Sequence, residues 1–276
     1  MKLGGRQGGF VERTIEGLYA GLQRSIDAEN SAAGRGLLQR LDARVKVAGL
    51  FSLILAAALA RRLWVIAALF AAAVVLAALS RVPFRVLAAR GWMGALAFTG
   101  VIALPALFLT PGVALCRLPG LHWTVTAQGL TTASYLLLRV ETAATLALLL
   151  EFTTPWAHVL KALRVFRVPL VFVAILGMAS RYILLLLETA HEMFESRKSR
   201  AVGALVGAER RHMAAASAGV LLSHSLQLSG DVYLAMQARG FRGDVHLLDD
   251  FAMQRLDWLA LAGFAALAAA GVWAGR

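Results

Sequence analysis

The chain has 276 residues, of which 59% are hydrophobic and 16% are charged. Its mean hydropathy of +0.68 is too high for a soluble domain of this size, in which about half of the residues are usually apolar. The sequence therefore indicates an integral membrane protein. The net charge of +12 comes from basic residues that lie in separate clusters between apolar blocks. Such clusters follow the positive-inside rule of membrane proteins, whereas nucleic-acid binding needs a continuous basic surface.

The first part of the chain predicts a cytoplasmic segment followed by four spans. Residues 1–40 are rich in glycine and lack an apolar core long enough for a cleavable signal peptide, so we interpret them as a cytoplasmic amino-terminal segment. Residues 41–152 contain the predicted transmembrane helices 1–4. Their apolar runs are 45–60, 63–79, 92–109 and 130–152. The first two are slightly shorter than the roughly 20 residues that a span prefers, which indicates a tight hairpin or a partly embedded pair.

Residues 153–245 combine apolar helical runs with basic clusters. The apolar run 168–187 continues without a break into a polar segment, and a second long helical run covers 208–237. If 168–187 crossed the membrane, the basic region 197–211 would lie outside, against the positive-inside rule. We therefore predict two long cytoplasmic helices here, the first lying in or beneath the membrane.

A last transmembrane helix is predicted in residues 246–276. Within it, Ala262, Ala266 and Ala270 are spaced four residues apart, a pattern suited to close helix packing. The predicted fold is therefore an all-α integral membrane protein with about five transmembrane helices and long cytoplasmic helices.

Two charged residues, Arg139 and Glu141, lie within the fourth predicted span. Charged residues inside a span are costly and are functional candidates by default. They are two residues apart, so they face in different directions on a helix and do not simply pair with each other. An equally good interpretation is that the span starts near Ala143 and that both residues lie at the interface.

No motif in the sequence predicts catalysis, a metal site or a cofactor site. Glu188 and His191 have the spacing found on di-metal carboxylate helices, but the chain has no second such helix, so a solvated polar face is the favoured interpretation. The single cysteine, Cys116, excludes a thiolate cluster. Phosphate-binding loops and nucleophile elbows of the known types are also absent from the sequence, which argues against an enzyme.

Two arginines flanked by small residues close the two long helical runs. Arg200 lies in Ser199-Arg200-Ala201 and Arg239 lies in Ala238-Arg239-Gly240. An arginine at a helix C-terminus is favoured by the helix dipole and can project its guanidinium beyond the last turn. A glycine after it also fits an ordinary helix cap. Because the pattern occurs at the end of both runs, we expect the arginines to enter grooves on a partner.

These residues resemble the two Ala-Arg-Gly motifs of the T component, the transmembrane coupling subunit of energy-coupling-factor (ECF) transporters. The second motif matches in full, and the first departs from the pattern at Ser199 and Ala201. A third match is Leu41-Asp42-Ala43-Arg44-Val45-Lys46, preceded by Ser25-Ile26-Asp27. This amino-terminal pattern is most similar to the CbiQ branch, which serves cobalt and nickel uptake.

The resemblance implies a non-catalytic, multi-pass subunit of an ABC importer in the cell inner membrane. Arg200 and Arg239 would each insert into one of two ABC ATPase subunits. The chain would couple them to a membrane S subunit that binds cobalt or nickel, and it would hold no metal or cofactor and bind no nucleic acid. The alternative within this class is a T component for a vitamin such as biotin. The alternatives from other classes are a membrane-embedded enzyme acting on lipids, with Glu188 and His191 as acid and base, and a passive membrane scaffold.

Overall fold

A computed structural model describes residues 36–110, 114–117, 124–200, 207–241 and 253–275, together with Gly17. Nearly all of these residues are helical. A short 3-10 helix, Leu38–Arg40, precedes the first α-helix, and a π-helical turn, Ala88–Trp92, joins α3 to α4. The α-helices in chain order are α1 Ala43–Leu59, α2 Leu63–Leu79, α3 Phe84–Leu87, α4 Met93–Leu109, α5 Ala127–Thr153, α6 Trp156–Val165, α7 Leu170–Arg200, α8 Gly207–Ala238 and α9 Arg255–Gly275.

The structure confirms the predicted all-α membrane protein. By length and composition, α5, the Leu170–Met193 part of α7, and α9 can each cross a membrane, and α2 and Met93–Leu107 are shorter apolar helices. A small antiparallel hairpin, β1 Ala114–Arg117 and β2 Thr124–Thr126, lies between α4 and α5. The Leu170–Met193 segment has the highest mean hydropathy of the three candidate spans, 2.3. Our expectation that this helix does not cross fully rests on the positive-inside rule and stays a prediction.

The described residues form two compact units. The first contains residues 36–162 and 253–275, and the second contains residues 163–200 and 207–241. In the first unit, α5 packs against α1, α2 and α4, while α9 packs against α1 and α2. In the second unit, α7 contacts α8. The boundaries of the four segments expected from the sequence remain predictions.

Within its unit, α9 packs through a face other than the alanine stripe noted in the sequence. The stripe Ala262, Ala266 and Ala270 is exposed, and the buried positions of α9 are Asp257, Phe264, Gly271 and Gly275. The reason lies on α1, where a Cβ added at Gly49 would lie 2.3 Å from the Phe264 ring. The missing side chain of Gly49 makes room for this ring, and that fit decides which face of α9 turns inward.

Candidate partner-binding site

The C-terminal end of α8 presents Arg239 to solvent. Gly240, the residue after it, has a left-handed backbone with φ +79°, which glycine adopts without a steric penalty. Gly240 N–H donates to the carbonyl of Gln237 at 2.9 Å, and Phe241 N–H donates to the carbonyl of Met236 at 3.0 Å. These two bonds are the Schellman motif, which ends a helix by pairing its last carbonyls. Arg239 is therefore held at the cap, and its side chain is exposed.

Arg200 is the last residue of α7. Its neighbour Ser199 is exposed, and the Ser199 hydroxyl donates to the carbonyl of Ser196 at 2.8 Å. That bond lies within the last described turn of α7. Ala201 lies outside the described residues, as do Arg242, Gly243 and Asp244 after the second motif. Arg239 therefore lies directly after the last residue of α8, and Arg200 is the last described residue of α7.

The helices that carry the arginines are long. α7 has 31 residues and α8 has 32, so each extends over roughly 45 Å at about 1.5 Å per residue. A displacement at one end of such a helix is carried along its length, because its backbone hydrogen bonds form a continuous ladder. The arrangement can therefore transmit movement over a distance greater than the hydrocarbon thickness of a membrane.

Between α7 and α8 lies a groove of about 340 Å³. Its walls are apolar, with hydroxyl groups from tyrosine and serine. The Tyr233 hydroxyl accepts a hydrogen bond from Gln237 Nε2 at 2.7 Å. The lining residues are Met178, Tyr182, Leu186, Ser225, Leu228, Ser229, Val232, Tyr233 and Met236. Sequence reasoning missed this groove, although the spacing of its residues at four and eight positions on both helices is a helical signal that could have indicated it.

Exposed leucines at helical spacing lie along one stripe of α8. Leu222, Leu226 and Leu234 are each more than 60% exposed. Contiguous exposed apolar surface on a protein usually marks contact with a partner or with lipid. The helix that ends in Arg239 thus presents a second surface suited to a membrane-embedded neighbour.

The acidic residues of α7 lie on an exposed part of the helix. Glu188, Glu192 and Glu195 are exposed, which agrees with a solvated helix face. Among the residues that the structure describes, no group of three or more His, Cys, Asp and Glu side chains could hold a metal ion.

Arg139 and Glu141 both lie inside α5, which begins at Ala127. Their side chains differ in hydrogen bonding. Arg139 Nη2 donates to the carbonyl of Ala60 at 2.8 Å, and the Tyr135 hydroxyl donates to the carbonyl of Arg61 at 2.6 Å. Both bonds tie α5 to the turn between α1 and α2. Arg139 therefore lies at the level where α1 ends, as an interfacial arginine would. Glu141 is 8% exposed, and neither carboxylate oxygen has a hydrogen-bond partner within the described ranges.

Comparison with known proteins agrees with these features. Residues 34–247 match the family model described as CbiQ, cobalt transport protein. An uncharacterized protein of Methanocaldococcus jannaschii is 33% identical over 239 residues, which cover 86% of this chain and 82% of that protein. The family-model match, residues 34–247, includes α1 to α8 and therefore both arginine motifs. The chain belongs to the CbiQ family of cobalt transport proteins, a family of T components of ECF transporters.

Proposed function

We propose that this chain is the coupling subunit of an ECF-type ABC importer, with Arg200 and Arg239 as its contacts to two ABC ATPase subunits. The observation that carries the proposal is the end of α8, where a Schellman cap leaves the Arg239 guanidinium exposed and, in the described part of the chain, without a hydrogen-bond or ion-pair partner. A guanidinium makes several directed hydrogen bonds to carboxylates and carbonyls, so it suits a groove on another protein.

The proposed mechanism is mechanical. ATP binding draws the two ATPases together, and the ends of α7 and α8 move with them because each helix carries one of the arginines. The helices then shift the apolar surface that they present, and with it a membrane S subunit that holds the substrate. The groove between α7 and α8 supports this step, since a change in the angle between the two helices would alter its shape.

The family match supports cobalt as the substrate. The resemblance to the CbiQ branch adds nickel, and in this proposal the S subunit rather than this chain binds the ion. A vitamin such as biotin is the alternative. The positive-inside rule supports a multi-pass position in the cell inner membrane, with the ends of α7 and α8 in the cytoplasm where ATPases would reach them. Family membership gives no support to the lipid-enzyme alternative, and no observation on Glu188 or His191 favours it.

The test is co-purification of the tagged chain in mild detergent, with Arg239→Glu beside the wild type. Loss of a buried, hydrogen-bonded charge at an interface costs about 2–5 kcal/mol. Because each arginine is proposed to hold one ATPase, recovery should fall in part with Arg239→Glu and by more than tenfold when Arg200→Glu is added. A small membrane protein, the S subunit, should still be recovered. Metal analysis of that protein distinguishes cobalt or nickel from a vitamin.

Arg62→Glu is the matched control, because Arg62 is also exposed and the same charge is reversed. It lies before α2, on the side of the membrane that the topology assigns to the exterior, so ATPase recovery should be unchanged. Full ATPase recovery and normal uptake with Arg239→Glu would refute the coupling role of this residue.

A further inference from the structure

Two turns in the chain share the sequence Arg-Val-Pro and the same backbone geometry. Arg81-Val82-Pro83 follows α2, and Arg167-Val168-Pro169 follows α6. In the first, Arg81 N–H donates to the carbonyl of Ala78 at 3.1 Å and Val82 N–H donates to that of Ala77 at 3.2 Å. In the second, the corresponding bonds run from Arg167 to Arg164 at 3.0 Å and from Val168 to Leu163 at 3.2 Å. Both turns are Schellman motifs.

The arginine of each turn occupies the position that glycine normally takes. Arg81 has φ 54° and Arg167 has φ 60°, in the left-handed region where a Cβ atom clashes with the following carbonyl oxygen. At the end of α8 the same position is taken by Gly240 at φ +79°. The stability of the turn therefore does not explain the choice of arginine, because glycine would fit better. Residues held in this region cost free energy and cluster at functional sites, so a function of the side chain is a hypothesis that the backbone motivates.

Both arginine side chains are exposed and lie close in sequence to exposed apolar residues. Arg81 and Arg167 are exposed, and neither guanidinium has a hydrogen bond or ion pair with any other residue whose position the structure describes. Leu79, two residues before Arg81, is 52% exposed, and Phe166, directly before Arg167, is 45% exposed. An unpaired cation beside exposed apolar side chains fits the zone where acyl chains meet headgroups.

We propose that Arg81 and Arg167 are each a binding site for the phosphate group of an anionic membrane lipid. The guanidinium forms paired hydrogen bonds to phosphate oxygens, and the neighbouring apolar side chains contact the acyl chains. This second contact distinguishes a lipid from free phosphate. Arg85 and Arg164, within four residues of the two sites, add to the positive potential that attracts anionic lipid. This role is independent of ATPase coupling.

The test is the thermal unfolding of the purified full chain in neutral detergent, with Arg81→Gly, Arg167→Gly and the double variant. In detergent alone, each glycine variant should unfold at the same temperature as the wild type or higher, because glycine relieves the left-handed backbone. Added phosphatidylglycerol should raise the unfolding temperature of the wild type, raise it less in each single variant, and raise it least in the double variant. Arg81→Lys and Arg167→Lys keep the charge and should retain part of the effect.

Three controls separate the sources of the effect. Arg62→Gly removes an exposed arginine at φ −104°, where glycine relieves no strain, so it should not raise the unfolding temperature in detergent. Phosphatidylcholine tests for a general lipid effect, and inorganic phosphate tests for a free anion. The proposal is overturned if phosphatidylglycerol shifts the wild type and the double variant equally, or if phosphatidylcholine or inorganic phosphate gives the same shift as phosphatidylglycerol. It is also overturned if the glycine variants are less stable than the wild type in detergent, since the arginines would then serve the fold itself.

Discussion

At the scale of single residues, the two charged side chains inside α5 differ in their hydrogen bonding. Arg139 completes the end of α1 by donating to the carbonyl of Ala60, a carbonyl that the helix itself leaves unpaired. Glu141, two residues further, is buried and has no hydrogen-bond partner within the described ranges. The sequence indicated that the two do not pair, and the structure agrees. The sequence could not indicate that Arg139 donates a hydrogen bond to a residue 79 positions away.

The contrast between Arg139 and Glu141 predicts opposite sensitivities to mutation. Arg139→Leu leaves the carbonyl of Ala60 unpaired in an apolar setting, and should reduce the free energy of unfolding by about 1–3 kcal/mol. Glu141→Gln keeps the shape and removes a charge that makes no hydrogen bond, so it should be neutral or stabilising. Thermal unfolding in detergent measures both variants. A larger loss with Glu141→Gln than with Arg139→Leu would mean that the carboxylate has a partner that this structure does not show.

At the scale of elements, the amino-terminal motif fastens three helix ends together. Asp42 caps α1 by accepting from Arg44 N–H, and its own N–H donates to Asp257 at the start of α9 at 2.8 Å. Lys46 is buried, and its Nζ donates to the carbonyl of Thr153 at the end of α5 at 2.8 Å. A cation at a helix C-terminus is favoured by the dipole. The residues that carried the family resemblance thus have a structural reason, which the sequence alone did not disclose.

The packing of α1 against α9 predicts a size limit at Gly49. Gly49→Ala places a methyl group where the Phe264 ring lies, and overpacking of this kind typically costs about 1–3 kcal/mol. Adding Phe264→Leu should recover part of the loss, because the smaller side chain vacates the space. Thermal unfolding of the single and double variants measures the coupling. Additive effects in the double variant would show that the two residues do not compete for the same space.

At the scale of the whole molecule, the coupling proposal depends on the side of the membrane on which each helix end lies. The helices long and apolar enough to cross include part of α7, whereas the basic residues that follow it favour a cytoplasmic position. Hydropathy and charge therefore lead to different expectations for this one helix. The proposed coupling role requires its C-terminal end to be cytoplasmic.

The predicted topology can be measured directly by labelling single cysteines. In a Cys116→Ser background, Ser199→Cys should react with a membrane-impermeant maleimide in inside-out vesicles and not in intact spheroplasts. Ser199 is exposed, so access is not limited by packing. Arg62→Cys should show the reverse pattern. Labelling of Ser199→Cys from the periplasmic side would place the end of α7 outside and contradict the coupling proposal.

The sequence by itself determined the membrane class, the helical fold, the family and the candidate arginines. These depend on local properties, namely apolar run length, charge clustering and short motifs, which are visible in consecutive residues. The helix boundaries followed closely, as with 63–79, which the structure reproduces as α2.

Only the tertiary structure decided which faces of the helices meet. The alanine stripe of α9 is suited to packing by its spacing. The buried face is instead the one that carries Phe264, whose ring lies over Gly49 of α1, more than 200 residues earlier in the chain. Likewise, the left-handed backbone of Arg81 and Arg167 has no marker in hydropathy. Contacts between distant segments depend on the fit of side chains in three dimensions, and a single sequence does not record that fit.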